Sequence, residues 1–229
     1  MNIIGFDFSI NKPAACIYNP HKILSDEEYI FLGWPYDLSK RIHDIYRDAD
    51  IAIINDRHQE IDEFRKIPNI YYHIKEKDLN ISEKMRIQVQ NAQRLSSMIT
   101  ETLKPWLQKD TLIGFEGLAF GSKGDVVLQL GGYKYMIMSF LSKYVPLENM
   151  YTYSPITVKK TAGCSKKGMT KNDVIESFIV NSHPNKLKTA LKKDKEIFMK
   201  KGGKNFIDHL DDLIDAYFVL ETLREKELG

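Results

Sequence analysis

A chain of 229 residues, 43% of them hydrophobic, can bury a full core as one large domain or two small ones. No apolar run reaches the roughly 18 residues of a membrane span, and the first residues lack the basic-then-apolar layout of a signal peptide. The two cysteines, Cys16 and Cys164, are too few for a disulfide framework and do not stand at metal-ligand spacing, so an intracellular setting with no membrane partner is expected. The net charge of +2 hides an asymmetry. Residues 154–206 carry 13 Lys against 4 Asp/Glu, a net of +9, whereas residues 207–229 carry 2 basic and 7 acidic groups, a net of −5. A basic block beside an acidic cluster suggests a polyanion held against bound metal ions.

In chain order, Ile3-Ile4-Gly5-Phe6-Asp7-Phe8-Ser9 reads as a buried strand with a carboxylate inside its apolar run. Burying an ionised Asp without a partner costs several kcal/mol, and nothing basic precedes Lys12. A lone Asp of this kind more often faces solvent or caps a turn, but two further carboxylates recur downstream in similarly apolar settings. Asn11-Lys12-Pro13 signals a turn, Ala14–Tyr18 a second strand and Tyr29–Trp34 a third, which together make an antiparallel meander. Asp37 to Arg47 has helical spacing, Ile51–Ile54 looks like another buried strand, and residues 56–80 are polar, with one candidate strand at Ile70–Ile74.

Ser82 with Glu83 starts a long helix that runs to about Leu103, ahead of Pro105. Thr111–Glu116 is a strand ending in the second carboxylate, and Gly117–Gly124 is a glycine-containing loop. Val126–Tyr144 is mostly helical, with Gly131-Gly132 allowing close packing. Met150–Tyr153 is a last short strand, closed by Ser154-Pro155. The remainder is helical, with a Lys-rich segment at 186–204 and a final helix from about Phe206 to Lys226. No repeat and no long linker divides the chain. The expectation is one α/β domain over residues 1–229, a mixed sheet of about five strands with helices on both faces.

The final helix holds Asp208, Asp211, Asp212 and Asp215, four acids within eight residues. Residues three or four apart share a helix face, so these can present a cluster, while Leu210, Leu213, Ile214 and Phe218 form the packing stripe. Capping acids on a solvated face explain Asp208 and Asp211 about as well; Asp212 and Asp215 sit among apolar neighbours and fit that reading less. An Asp, a Glu and an Asp pair, widely spaced, suit two hard divalent cations with oxygen ligands. Two such ions about 4 Å apart stabilise the attacking and leaving oxygens of an in-line phosphodiester displacement. No Walker loop, Ser-His-Asp signature or His/Cys metal motif competes.

Gly5-Phe6-Asp7-Phe8-Ser9, Phe115-Glu116 after a long helix, and Asp212-x-x-Asp215-Ala216 resemble the ribonuclease H-like nucleases. More narrowly, the chain resembles the RuvC-type Holliday-junction resolvases. Gln129-Leu130-Gly131-Gly132, Tyr153-Ser154-Pro155, Val158-Lys159-Lys160-Thr161 with Gly163, and Thr170-Lys171 follow in that family's order over about residues 1–36 and 82–226. The resemblance implies a ribonuclease H-like fold in which Asp7, Glu116, Asp212 and Asp215 bind two Mg²⁺ ions, with Mn²⁺ substituting, and Asp211 is the rival to Asp212. It places Lys159 and Lys171 near the scissile phosphate, where a compact charge suits phosphate; solvated lysines are the plainer reading. Phe120, one residue off the expected spacing, matches an aromatic that disturbs base stacking, or packs in the core.

Lys123, Lys160, Lys166, Lys167, Lys192 and Lys193 are candidate DNA contacts. Residues 37–80 and the Lys-rich 186–204 are insertions relative to a minimal family core, a looseness that resembles viral and phage members. The implied activity is a metal-dependent, structure-selective endonuclease of branched DNA, acting as a homodimer, with one site per protomer for paired cuts. It would leave 5′-phosphate and 3′-hydroxyl ends. The alternatives are a nuclease of the same fold acting on RNA–DNA hybrids or flaps, and a non-catalytic branched-DNA scaffold. No base-reading motif is present, so recognition of shape and backbone is expected.

Overall fold

A computed structural model describes residues 1–9, 12–20, 29–35, 38–54, 80–118 and 125–229. The candidate strand at Ile70–Ile74, and Phe120 and Lys123, lie outside the described residues. Strands β1 (Ile3–Asp7), β2 (Ala14–Tyr18) and β3 (Tyr29–Gly33) form the expected antiparallel meander. Strands β5 (Leu112–Glu116) and β6 (Met150–Tyr153) add in parallel on the other side of β1. The order β3-β2-β1-β5-β6 agrees with the mixed sheet expected from the resemblance, and the two-residue β4 (Ala52–Ile53) extends it to six strands beside β3.

Strand parity divides the core. Ile3, Cys16, Phe31 and Leu112 face one layer of side chains, and Ile4, Phe6, Ile17, Leu32, Ile113 and Phe115 face the other. Helices α2 (Ile81–Leu103) and α3 (Asp125–Leu141) cover the second face through Ile99, Leu103, Ile137 and Leu141. The first face receives α1 (Lys40–Asp48), α4 (Pro155–Thr161), α5 (Lys171–Asn181), α6 (Lys186–Lys193) and, against the central strand, α7 (Leu210–Glu227).

Helix α7 runs so close over β1 that a Cβ on Gly5 would stand 2.2 Å from the Ala216 carbonyl oxygen and 2.4 Å from the Leu220 nitrogen. Only glycine permits this approach. Local signals set the other helices. Asn80 and Glu83 make a capping box at α2, two residues earlier than the expected Ser82 start, and Thr170 and Asp173 make one at α5. Gly131 and Gly132 in α3 are not close-packing sites: a Cβ on Gly131 would meet Leu118 at an ordinary 3.6 Å, and one on Gly132 would meet nothing within 4 Å. Among the described residues, no helix is long and apolar enough to cross a membrane.

Candidate active site

Asp7 and Glu116 end neighbouring parallel strands. Because Phe6 pairs with Phe115 in register, the two acids are the next residues on each strand. Parity turns both to the α7 side, since Asp7 follows Ile3 and Gly5, and Glu116 follows Leu112 and Gly114. Helix α7 begins at this end of the sheet and brings Asp211, Asp212 and Asp215 over the strand tips. With Lys159 of α4 and Lys171 at the start of α5, these five acids line one cleft of about 480 Å³. On the opposite face of the sheet, Phe6 stacks on Phe8 and lies tilted against Trp34 and Phe115, with ring centroids 5.7 to 6.1 Å apart.

The final helix starts at Leu210, not near Phe206, and this corrects the reading of its acids. Phe206 pairs with Met199 as a strand bridge, and His209 adopts the left-handed conformation (φ 75°), which breaks any helix arriving from upstream. Asp208 therefore stands outside the helix and away from the cleft, held by Lys200 at 2.7 Å and Lys12 at 3.7 Å. Asp211 and Asp212 occupy the first turn, where the helix dipole favours negative charge. Lys171 donates to Asp211, so the rivals Asp211 and Asp212 both line the cleft.

The acids raise one another's affinity for protons. Asp7, only 8% exposed, is pushed well up by burial and then by the charges of Asp215, Glu116, Asp212 and Asp211. Burial, Glu116 and Asp211 lift Asp215 to about 8. Burial also raises Glu116, although Lys159, Lys134 and Lys171 pull it back. A cluster that repels itself in this way is relieved by a cation, and its donors are all carboxylate oxygens, the ligand type of hard divalent ions. As the side chains are placed, no three His, Cys, Asp or Glu groups among the described residues stand close enough together to hold an ion.

Three residues around the site carried no sequence signal. His209 is fully buried; its Nδ1 lies 3.1 Å from Asp212 Oδ2, and its Nε2 has no hydrogen-bond partner among the described residues. The ring rests on Gly33, where a Cβ would meet Nε2 at 2.1 Å. With Nδ1–H donating to Asp212, Nε2 is a bare lone pair, which suits a pocket without a donor. Tyr46 of α1 braces the same turn, its hydroxyl donating to the Asp208 carbonyl at 2.7 Å, which ties α1 to the segment just ahead of α7. Lys134 of α3, 6% exposed, donates to the Glu116 carbonyl at 3.0 Å and lies 5.5 Å from the Phe115 ring centroid. Burial lowers its pKa to about 8 against the pull of Glu116.

Of the other sequence candidates, Lys160, Lys166 and Lys167 are exposed in and after α4, and Lys192 and Lys193 are exposed at the end of α6; none lines the cleft.

No family model matches the sequence, and no curated protein does. Among solved structures, the chain is similar to Thermus thermophilus RuvC in complex with a Holliday-junction substrate, with 12% identity, a TM-score of 0.49, and 99% of this chain and 96% of that one covered. It is also similar to a second T. thermophilus RuvC structure, with 11% identity, a TM-score of 0.46, and 98% and 96% covered. A third is the yeast mitochondrial Holliday-junction resolvase Ydc2, with 13% identity, a TM-score of 0.43, and 96% and 76% covered. The functional reading is carried by the side chains of the cleft.

Proposed function

We propose that the protein is a divalent-metal-dependent, structure-selective endonuclease that hydrolyses phosphodiester bonds in Holliday junctions or other branched DNA. The observation that carries this reading is the convergence of Asp7, Glu116, Asp212 and Asp215 at two strand tips and one helix start, in a cleft also lined by Lys159 and Lys171. In the proposal these four acids hold Mg²⁺, two ions by analogy with the implied family, with Mn²⁺ as a substitute. The bound metal would stabilise the charge that builds on the phosphate during displacement.

The protein's own groups have separable tasks. Asp7 and Glu116 are fixed by the sheet and supply a rigid half of the donor set. Asp212 is aimed by His209. Lys171, which donates to Asp211, can exchange that partner for a phosphate oxygen, and Lys159 offers a second ammonium beside Glu116. Of the nearby rings, Phe8 lines the cleft beside Asp7, an apolar wall that strengthens the interaction of the acids with a cation. A homodimer with one cleft per protomer suits paired cuts on a two-fold junction.

The decisive experiment compares a labelled four-way junction, the matching linear duplex and an RNA–DNA hybrid, with Mg²⁺ or with chelator, for wild type and Asp7→Asn. Paired nicks near the branch that need metal and vanish in the variant support the proposal. Equal cutting of the duplex or the hybrid leaves a nuclease and removes branch selectivity; tight binding without cutting favours the scaffold alternative.

A further inference from the structure

Eight lysines fall between residues 186 and 204, and the structure separates them into two kinds. Lys186 pairs with Asp50, Lys195 with Glu176 and Lys200 with Asp208, while Lys188 donates to the Val180 and Ser182 carbonyls. The side chains of Lys192, Lys193, Lys201 and Lys204 are exposed and make no ion pair among the described residues. Lys192 and Lys193 end α6. Lys201 and Lys204 belong to a small hairpin at the other end of the segment.

That hairpin is built rather than loose. Met199 and Phe206 pair antiparallel, Lys200 N–H donates to the Asn205 carbonyl at 2.7 Å, and Ile207 N–H donates to the Phe198 carbonyl at 2.8 Å. Its tip passes through Gly202 (φ 97°) and Gly203 (φ 66°), a backbone path that side-chain-bearing residues avoid. Two anchors tie it to elements that supply the cleft. Asn172, the neighbour of Lys171, donates from Nδ2 to the Lys204 carbonyl at 3.0 Å. Lys200 holds Asp208, just ahead of α7, and Lys12 from the β1–β2 turn reaches the same carboxylate.

We infer that Lys201 and Lys204 form a backbone-gripping contact for nucleic acid, separate from the cleft lysines, which holds the phosphates of a strand leading away from the cut. This rests on the nuclease reading above. Two ammonium groups with no ion-pair partner among the described residues, mounted on a hydrogen-bonded turn beside the site, give up no ion pair seen there on meeting phosphate. The absence of bulk at Gly202 and Gly203 lets a sugar-phosphate chain approach the turn.

The test measures binding of the inactive Asp7→Asn protein to a labelled four-way junction across a salt series, with and without Lys201→Ala/Lys204→Ala. Each phosphate neutralised adds about 0.9 to the slope of log affinity against log salt, so the double substitution should lower that slope by about 1.8. On the active background it should raise KM and leave kcat in place, and Lys→Arg at both positions should restore binding. Both lysines are exposed, so an unchanged melting temperature checks that the fold survives. Unchanged affinity and slope overturn the inference while the nuclease reading stands. If the Asp7→Asn parent binds no junction and wild type cuts none, both fall together.

Discussion

Gly5→Ala isolates the geometric demand of the site with a single methyl group. The new Cβ would lie 2.2 Å from the Ala216 carbonyl oxygen, 2.4 Å from the Leu220 nitrogen and 2.6 Å from the Leu220 Cβ. The first two are backbone atoms of a helix and cannot rotate away. Ordinary contact begins near 3.4 Å, so α7 must lift from β1 by roughly 1 Å, and overpacking of this kind costs about 1–3 kcal/mol or more. The functional loss should exceed the stability loss, because α7 carries Asp212 and Asp215 while β1 carries Asp7. Misplacing reacting groups by about 1 Å can cost on the order of 100-fold in rate. Thermal unfolding with single-turnover junction cleavage reads both quantities. A Gly5→Ala protein that melts and cleaves like wild type would refute the reasoning, and Gly114→Ala, whose Cβ would meet only side chains at 3.2 Å and beyond, should be milder in both assays.

Substituting His209 by Ala, or Gly33 by Ala beneath it, should free Asp212; loss of an outer partner of this kind costs about 10–100-fold in metal affinity or activity, read as a rise in the Mg²⁺ concentration for half-maximal cleavage. The pH dependence of metal-free stability follows from Asp7 and Asp215. Both titrate above their ordinary range in the fold, Asp215 at about 8, so between about pH 4 and 8 the folded state binds more protons than the unfolded chain. Stability in chelator should therefore fall as pH rises through that window. Asp215→Asn should flatten the curve in thermal melts, and Mg²⁺ should stabilise wild type most at the alkaline end. Replacing Lys171 by Ala removes the partner of Asp211 and a cleft cation; turnover of bound junction should drop at least tenfold with little change in melting temperature, since both side chains are partly exposed.

The sheet was legible because buried strands announce themselves by β-branched and aromatic runs, and the parity of Ile3, Gly5 and Asp7 against Ile4 and Phe6 already fixes which face the carboxylate takes. The acids of α7 were legible for the same reason: Asp212 and Asp215 interrupt an otherwise apolar pattern. The start of that helix was not. Phe206 and Ile207 continue an apolar rhythm into Leu210, and nothing in the residue type says that a histidine will sit at positive φ. The roles of His209, Tyr46 and Lys134 depend on contacts between residues far apart in the chain, such as Tyr46 with Asp208, which no local pattern encodes. The lysines misled in the opposite direction. A run of like charge reads as one surface, yet half of the 186–204 set is spent on pairing within the protein.

The acids of the cleft are contributed by the first strand, the fifth strand and the last helix, so Asp7 and Asp215 meet only when elements from opposite ends of the described chain have docked. Contacts of such long sequence separation form late and slowly. A ribosome-bound chain carrying β1 through α6 would hold Asp7 and Glu116 but none of the α7 carboxylates, and so could not assemble the donor set. For a protein with this proposed chemistry, translation itself then acts as a safety catch: cutting capacity arises only after the whole sheet and its covering helix are complete. The same architecture offers a way to build a conditional enzyme, by dividing the chain ahead of α7 and supplying that helix in trans.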